Sequence, residues 1–276
     1  MADHTHHHDD SHGTSSDDTA FTEANRAHWN KSAATYTSEQ WQKELINKVT
    51  AFIQTHVTFI GVPFLDPSST FEAPDPSQPP RSVRVLDYAC GPGTVTSALG
   101  ARATEYVGID LSENMVQAYN LRFNYDSSPS SVTVTDGAAD ERPLKAHAVV
   151  GNLLEAEEPA HLSGPEYHNF DLVVVGMGFH HFADVRLAAK RLAARLRPGG
   201  IFLILDFVTH AMEQDAHPDL KQAVHTIKHH GFSEAELKDI FADAGLEDFA
   251  IVRMGDEVLL RGTSRREPFM ARGRKP

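Results

Sequence analysis

An α/β fold around a mostly parallel, seven-stranded sheet is what this sequence predicts, and three observations predict it. Short, continuously apolar runs recur from residue 83 onward, alternating with helical patterns, as strands covered on both faces require. The last two runs, 249–254 and 258–262, are separated only by Gly255-Asp256-Glu257. That gap is too short for a crossover, so this 6/7 hairpin contributes one antiparallel strand. Finally, Cys90 is the single cysteine in 276 residues, which excludes a disulfide-stapled scaffold and leaves an apolar core to hold the fold.

Residues 1–20 hold five aspartates, no Lys or Arg, and His4, His6, His7, His8 and His12. This tail reads as disordered, with incidental metal affinity rather than a fixed metal site. It has the pattern of neither a signal nor a transit peptide. Residues 21–60 read as a helical lid. Trp29, Ala33 and Tyr36 share one helical face, and Trp41, Leu45, Val49 and Phe52 another. Residues 61–82, with six prolines, read as a loop. The main domain spans 83–276. Its first strand, Val83–Ala89, runs into Cys90-Gly91-Pro92-Gly93. Tyr106–Leu111 is the second strand, and Ser112 caps the helix after it. Residues 126–145 are a Ser/Pro/Asp-rich insertion. Ala148–Leu153 and Asp171–Gly176 are strands three and four. Asp184 caps a helix that Pro198-Gly199-Gly200 stops, ahead of strand five, Ile201–Phe207. Ser233 with Glu236 forms a capping box for a late helix ended by Gly245.

The formal charge of −13 argues against nucleic-acid binding, which calls for a basic face. Six cations against Glu267 in 261–276 read as a solvated end segment. No apolar run reaches the roughly 18 residues that a membrane span needs. The expectation is a cytoplasmic protein, with the nucleus as the alternative.

The glycines of Gly91-Pro92-Gly93 allow a ligand to approach the backbone closely. Asp110 ends the next strand, where a carboxylate accepts hydrogen bonds from ribose hydroxyls. Together they point to an adenosine-containing ligand. Thr96 occupies the third position of the dinucleotide G-x-G-x-x-G pattern, and Asp87 stands beside the turn. A carboxylate there repels a pyrophosphate and suits an ammonium or sulfonium group, which favours S-adenosylmethionine over NAD.

At this point the chain resembles a known family. Val85 to Gly93 is similar to the first motif of the class I S-adenosylmethionine-dependent methyltransferases, with their Rossmann-like sheet. Val107 to Ser112 with Met115 is similar to the second. Phe170–Val175 running into Phe179–Asp184, Leu196–Gly200 and Gly231–Leu246 resemble later ones. The long insertions and the ending resemble the fungal small-molecule branch of the type 11/12 kind. The resemblance implies that Asp87 and the backbone of Ala89, Gly91, Pro92 and Gly93 face the methionine moiety, with Gly176 at the end of strand four. It implies that Asp110 binds ribose, that Leu111 and Met115 pack on adenine, and that Asn152 and Leu153 stand where an acidic residue usually meets the adenine amine.

His180 and His181, past strand four, are the candidates for a general base, and Tyr36 is a third catalytic candidate from the lid. His225 and His229 would share a face if helical, but no third ligand completes a metal site, so no metal is expected. The resulting function is methyl transfer to a small-molecule O, N or S acceptor, by a monomer or weak homodimer. The alternatives are a lysine or histone methyltransferase acting on a protein substrate, a catalytically silent cofactor-binding regulatory partner, and an NAD oxidoreductase.

Overall fold

A computed structural model describes residues 16–68, 81–123, 144–211 and 225–276. The histidine run of the tail and most of the 126–145 insertion lie outside them. The sheet is built from β1 (Arg84–Tyr88), β2 (Glu105–Asp110), β3 (Ala146–Val150), β4 (Phe170–Gly176), β5 (Leu196–Phe207), β6 (Glu247–Arg253) and β9 (Pro268–Arg274). Their order is β3-β2-β1-β4-β5-β9-β6. The pairs among β1 to β5 are parallel, and β9 is antiparallel to both β5 and β6.

Strand side chains alternate between two cores. Leu86, Val173, Val175 and Phe202 pack on one face against α6 (Val185–Ala194) and α7 (Glu234–Asp243). Val85, Leu172, Val174 and Leu203 pack on the other. That face is covered by α2 (Gln40–Thr55), α3 (Val57–Ile60), α4 (Thr94–Leu99) and α5 (Glu113–Arg122). The three caps are present, though Ser233 and Glu236 make only one of the two bonds of the expected capping box. Ser112 Oγ accepts from the Met115 amide, Asp184 from Arg186 and Leu187, and Ser233 from Glu236.

Three expectations are corrected. The antiparallel strand is β9, not 258–262. Val258–Leu260 (β7) instead pairs with Ser264–Arg266 (β8) in a separate two-stranded sheet, turned by Arg261 and Gly262 at positive φ. From Pro268 on, the basic end segment is therefore strand in the sheet and not a solvated tail. Phe269, Met270 and Ala271 are fully buried between β5 and β6, while Arg274 and Lys275 donate to the Gly199 and Leu196 carbonyls. Flanking cations hide this short apolar triplet from a periodicity search. Second, α1 (Ser16–Ser32) begins inside the stretch read as tail, where Asp17 and Asp18 suit a helix N-terminus. Third, α1 stops at Ser32 and a 3-10 turn covers Ala33–Thr35, so Tyr36 is not on the Trp29 helix. The two rings still meet edge-on at 6.1 Å.

Candidate active site

A large cavity opens at the carboxyl ends of β1, β2, β3 and β4, and spans about 1150 Å³ of space, its open side included.

Its floor is made by the β1 turn. Ala89, Gly91 and Gly93 all have positive φ, which turns the backbone up toward the opening. The Gly91 amide donates to Asp110 Oδ2 at 2.8 Å, and the Ser112 amide to Oδ1 at 2.9 Å. Asp110 thus ties the turn to the end of β2. Burial pushes its carboxyl up to about 6, against backbone donors that pull it down. Asp87 is 1% exposed and accepts from the Thr96 hydroxyl at 2.9 Å. Burial, and more weakly the Asp110 charge, push it up to about 7. Two buried carboxyls in one cavity, each reluctant to ionise, are stabilised by a cationic ligand. Cys90 is buried beside them and its thiol is pushed up, as befits a small packing residue.

The roof is α1, Tyr36 and α2. On one side, Arg26 and Asn30 engage Glu113, and Asn30 Oδ1 accepts from Ser112 Oγ at 2.6 Å and the Asn114 amide at 3.1 Å. On the other, Asp18 pairs with Lys228 at 3.5 Å, and the Lys228 ammonium lies 5.4 Å from the Phe21 ring. Between these two anchors, Thr22, Asn25 and Trp29 face the cavity, and α2 adds Leu45, Ile46 and Val49. Burial, then the Asp110 charge, raise the Tyr36 phenol. It stays neutral and can donate a hydrogen bond, which does not suit it to be a base.

The two adjacent histidines part company. His181 lines the cavity, edge-on to Trp29 at 5.2 Å. Its Nδ1 lies 2.5 Å from the Thr226 carbonyl. A carbonyl only accepts, so Nδ1 carries the proton and Nε2 is left as the acceptor. Burial, then His180, hold its pKa well below the usual value. His180 does not line the cavity. Its Nδ1 is 2.9 Å from Asp206 Oδ1, Asp206 is fully buried, and the two imidazole centroids are 4.1 Å apart. The 225–230 stretch forms turns rather than a helix, so His225 and His229 share no helical face. The Lys228 and His229 amides donate to the His180 carbonyl instead.

Most of the predicted site comes together here. Tyr36, Asp87, Ala89, Gly91, Pro92 and Asp110 line the cavity, as do Leu111, Met115, Asn152, Gly176 and His181. Besides His180, two do not. Gly93 caps α4, where a Cβ would stand 2.4 Å from the Phe123 ring. Leu153 is fully buried in the core. Asn152 Oδ1 is occupied, accepting from the Leu154 amide at 2.9 Å and the Tyr88 hydroxyl at 3.4 Å. Asn25 and Met177 were missed. Asn25 lies four residues before Trp29, a spacing that puts both on one helical face. Nothing in the sequence marks Met177, which takes a positive φ of 59° just past β4.

The profile of a methyltransferase-domain family matches residues 50–251. An uncharacterized methyltransferase of Schizosaccharomyces pombe is 26% identical over 178 residues, 61% of this chain and 55% of that protein. A demethylmenaquinone methyltransferase of Staphylococcus aureus is 28% identical over 129 residues, 46% of this chain and 44% of that one. The matches thus span about half the length of these relatives. Among solved structures, phosphoethanolamine N-methyltransferase 2 of Haemonchus contortus, in complex with phosphomonomethylethanolamine and S-adenosylhomocysteine, aligns with a TM-score of 0.50. The identity is 16%, over 72% of this chain and 50% of that one, a likeness of fold alone.

Proposed function

This chain belongs to the methyltransferase-domain family, of the S-adenosylmethionine-dependent kind, and from that premise we propose that it methylates a small-molecule O, N or S acceptor in the cavity under α1. The observation that carries the reading is the pair of buried carboxyls, Asp87 and Asp110, at the bottom of a cleft roofed by apolar side chains and a neutral imidazole. The donor set fits S-adenosylmethionine. Asp87 would neutralise its positive charge, Asp110 would accept from the ribose hydroxyls, and Leu111 and Met115 would pack on the base. When bound, the cofactor supplies a methyl group on a cationic sulfur, whose departure as a neutral thioether makes the transfer depend mainly on alignment and desolvation.

The chain's own contribution to that step is position and one proton. The roof excludes water. The bound cofactor would supply the methyl carbon to the acceptor's lone pair, its sulfur keeping the electrons of the bond that is lost. His181 Nε2 is neutral and takes the proton that an O–H, N–H or S–H acceptor releases. Its weak basicity places that uptake late, once the methylated acceptor has become strongly acidic. Tyr36 donates a hydrogen bond rather than accepting a proton. The 21–60 segment serves as the lid, and a cytoplasmic enzyme, monomeric or weakly dimeric, belongs to the same reading.

Calorimetric titration with S-adenosylmethionine, S-adenosylhomocysteine and NAD, repeated on Asp110→Ala, tests the cofactor. Micromolar binding of the first two, lost in the variant, supports the reading. Binding of NAD alone, or of nothing, overturns it. Acceptors are then screened by S-adenosylhomocysteine release, with a basic histone-tail peptide among them, because the acidic body of the chain is the one feature that favours a protein substrate.

A further inference from the structure

Asn25, on the roof, carries a polar atom that the protein itself leaves unpaired. The side chain is 4% exposed and lines the cavity. Its Nδ2 donates to the Phe21 carbonyl at 3.1 Å, which fixes the amide's orientation and leaves Oδ1 as the free end. That oxygen is buried with no hydrogen-bond partner. An unpaired buried acceptor is destabilising, and such groups in folded proteins generally meet a ligand or water.

The loop after β3 shows the complementary deficit. Asn152, the residue expected to receive the adenine amine, already accepts from the Leu154 amide and the Tyr88 hydroxyl. The first is a full hydrogen bond and the second a long one, so the amide oxygen is already engaged. An adenine seated against Leu111 and Met115 would bring an exocyclic N–H pair to a loop whose Asn152 acceptor is shared. Helix α1 and that loop line the same cavity. Leu154 lines the cavity with Asn25, and Arg26, the next residue along α1, is close enough to Glu155 to feel its charge.

We propose that Asn25 reads the adenine of the cofactor, its Oδ1 accepting from the exocyclic amine, so that the lid rather than the β3 loop decides which base is bound. This rests on the cofactor reading above. It makes α1 a part of the binding site, closed by the ligand's own hydrogen bond. An adenine gives Oδ1 a donor, whereas a hypoxanthine sets a carbonyl against it.

The test is a cycle of two ligands and four proteins. S-adenosylhomocysteine and S-inosylhomocysteine, which differ at C6 (amine against carbonyl) and at N1 (acceptor against N–H), are titrated calorimetrically into the full-length wild type, Asn25→Leu, Asn25→Ala and Asn25→Asp. The wild type should prefer the adenine ligand by roughly tenfold or more. The Leu and Ala variants should bring the two ligands to within about threefold of each other. The Asp variant, which keeps an acceptor, should retain the preference. Melting of each ligand-free variant separates loss of discrimination from loss of fold, and the two apolar variants need not both survive for the comparison to stand. A full preference in Asn25→Leu or Asn25→Ala overturns the assignment, as does a wild type that binds both ligands equally. A wild type that binds neither removes the cofactor reading itself, and the assignment with it.

Discussion

The floor and the roof of the cavity are built by different physics. The floor is a by-product of the sheet. Asp87 and Asp110 sit on strands hydrogen-bonded on both sides, and their carboxylates are held by Thr96 and two backbone amides. Moving one of them means opening the core. The roof rests on side-chain contacts at its two flanks, among them Asn30 with Glu113, Ser112 and Asn114 and Asp18 with Lys228. Partly exposed pairs of this kind contribute little each. Chemistry that must be fixed is thus carried by the rigid part, while the part that must admit a ligand is held by contacts that water can replace.

If that contrast is right, variants in the two regions fail in different assays. The largest expected effect is on the floor. Asp110→Ala removes the ribose acceptor and the partner of the Gly91 and Ser112 amides, and should weaken S-adenosylhomocysteine binding at least 100-fold by calorimetry. Next comes Gly93→Ala. The substitution imposes a side chain at φ 83° and drives a Cβ into the Phe123 ring. It should cost about 2 kcal/mol or more, read as a lowered melting temperature with no ligand present. A roof variant that lowered the melting point as much would break the comparison.

The third expectation uses the floor's charge. Asp87 and Asp110 have folded pKa values raised to about 7 and about 6, above the ordinary 3.8. In the ligand-free fold they bind protons that the unfolded chain has lost. Their effect is to make stability fall as pH rises from about 4 toward 7. A cationic ligand reverses this by favouring the ionised forms. Affinity for S-adenosylmethionine should therefore rise from pH 5.5 to 8, with protons released on binding. Titration in buffers of different ionisation enthalpy measures that release, and proton uptake would contradict the assigned charge pairing. The smallest effect belongs to the roof. Asn30→Ala should leave the unfolding free energy within about 1 kcal/mol of wild type, and weaken S-adenosylhomocysteine binding about three- to fivefold through faster dissociation, followed by stopped-flow fluorescence of Trp29 and Trp41.

The same division explains what the sequence discloses. The floor is local. Strand, turn and acid follow one another from Val85 to Gly93 and from Val107 to Ser112, so a short window holds each whole piece. The lid's existence is also visible, because Trp29, Leu45 and Val49 keep helical spacing. Its use is not, because Asn25 gains meaning only when α1 is laid across residues more than 120 positions away. The separation of His180 from His181 is hidden for the same reason. Asp206 claims one ring and the Thr226 carbonyl the other, and neither partner lies near them in sequence. Strand β9 escaped because its apolar core is three residues long and sits among arginines, where composition speaks for solvent.

That last strand has a consequence for how the molecule is made. β9 slots between β5 and β6 and pairs with both along its length, and its partners on β5 lie 61 (Phe207 to Pro268) to 73 (Ile201 to Arg274) positions earlier in the chain. Until 268–274 is in place, β5 and β6 each present an unpaired edge rich in apolar side chains. Non-local pairings of this kind form slowly, and open edges are templates for intermolecular pairing. The half-finished protein is thus most exposed to aggregation where the finished one is most buried. A deletion that removed these few residues would be felt as insolubility long before it was felt at the cavity.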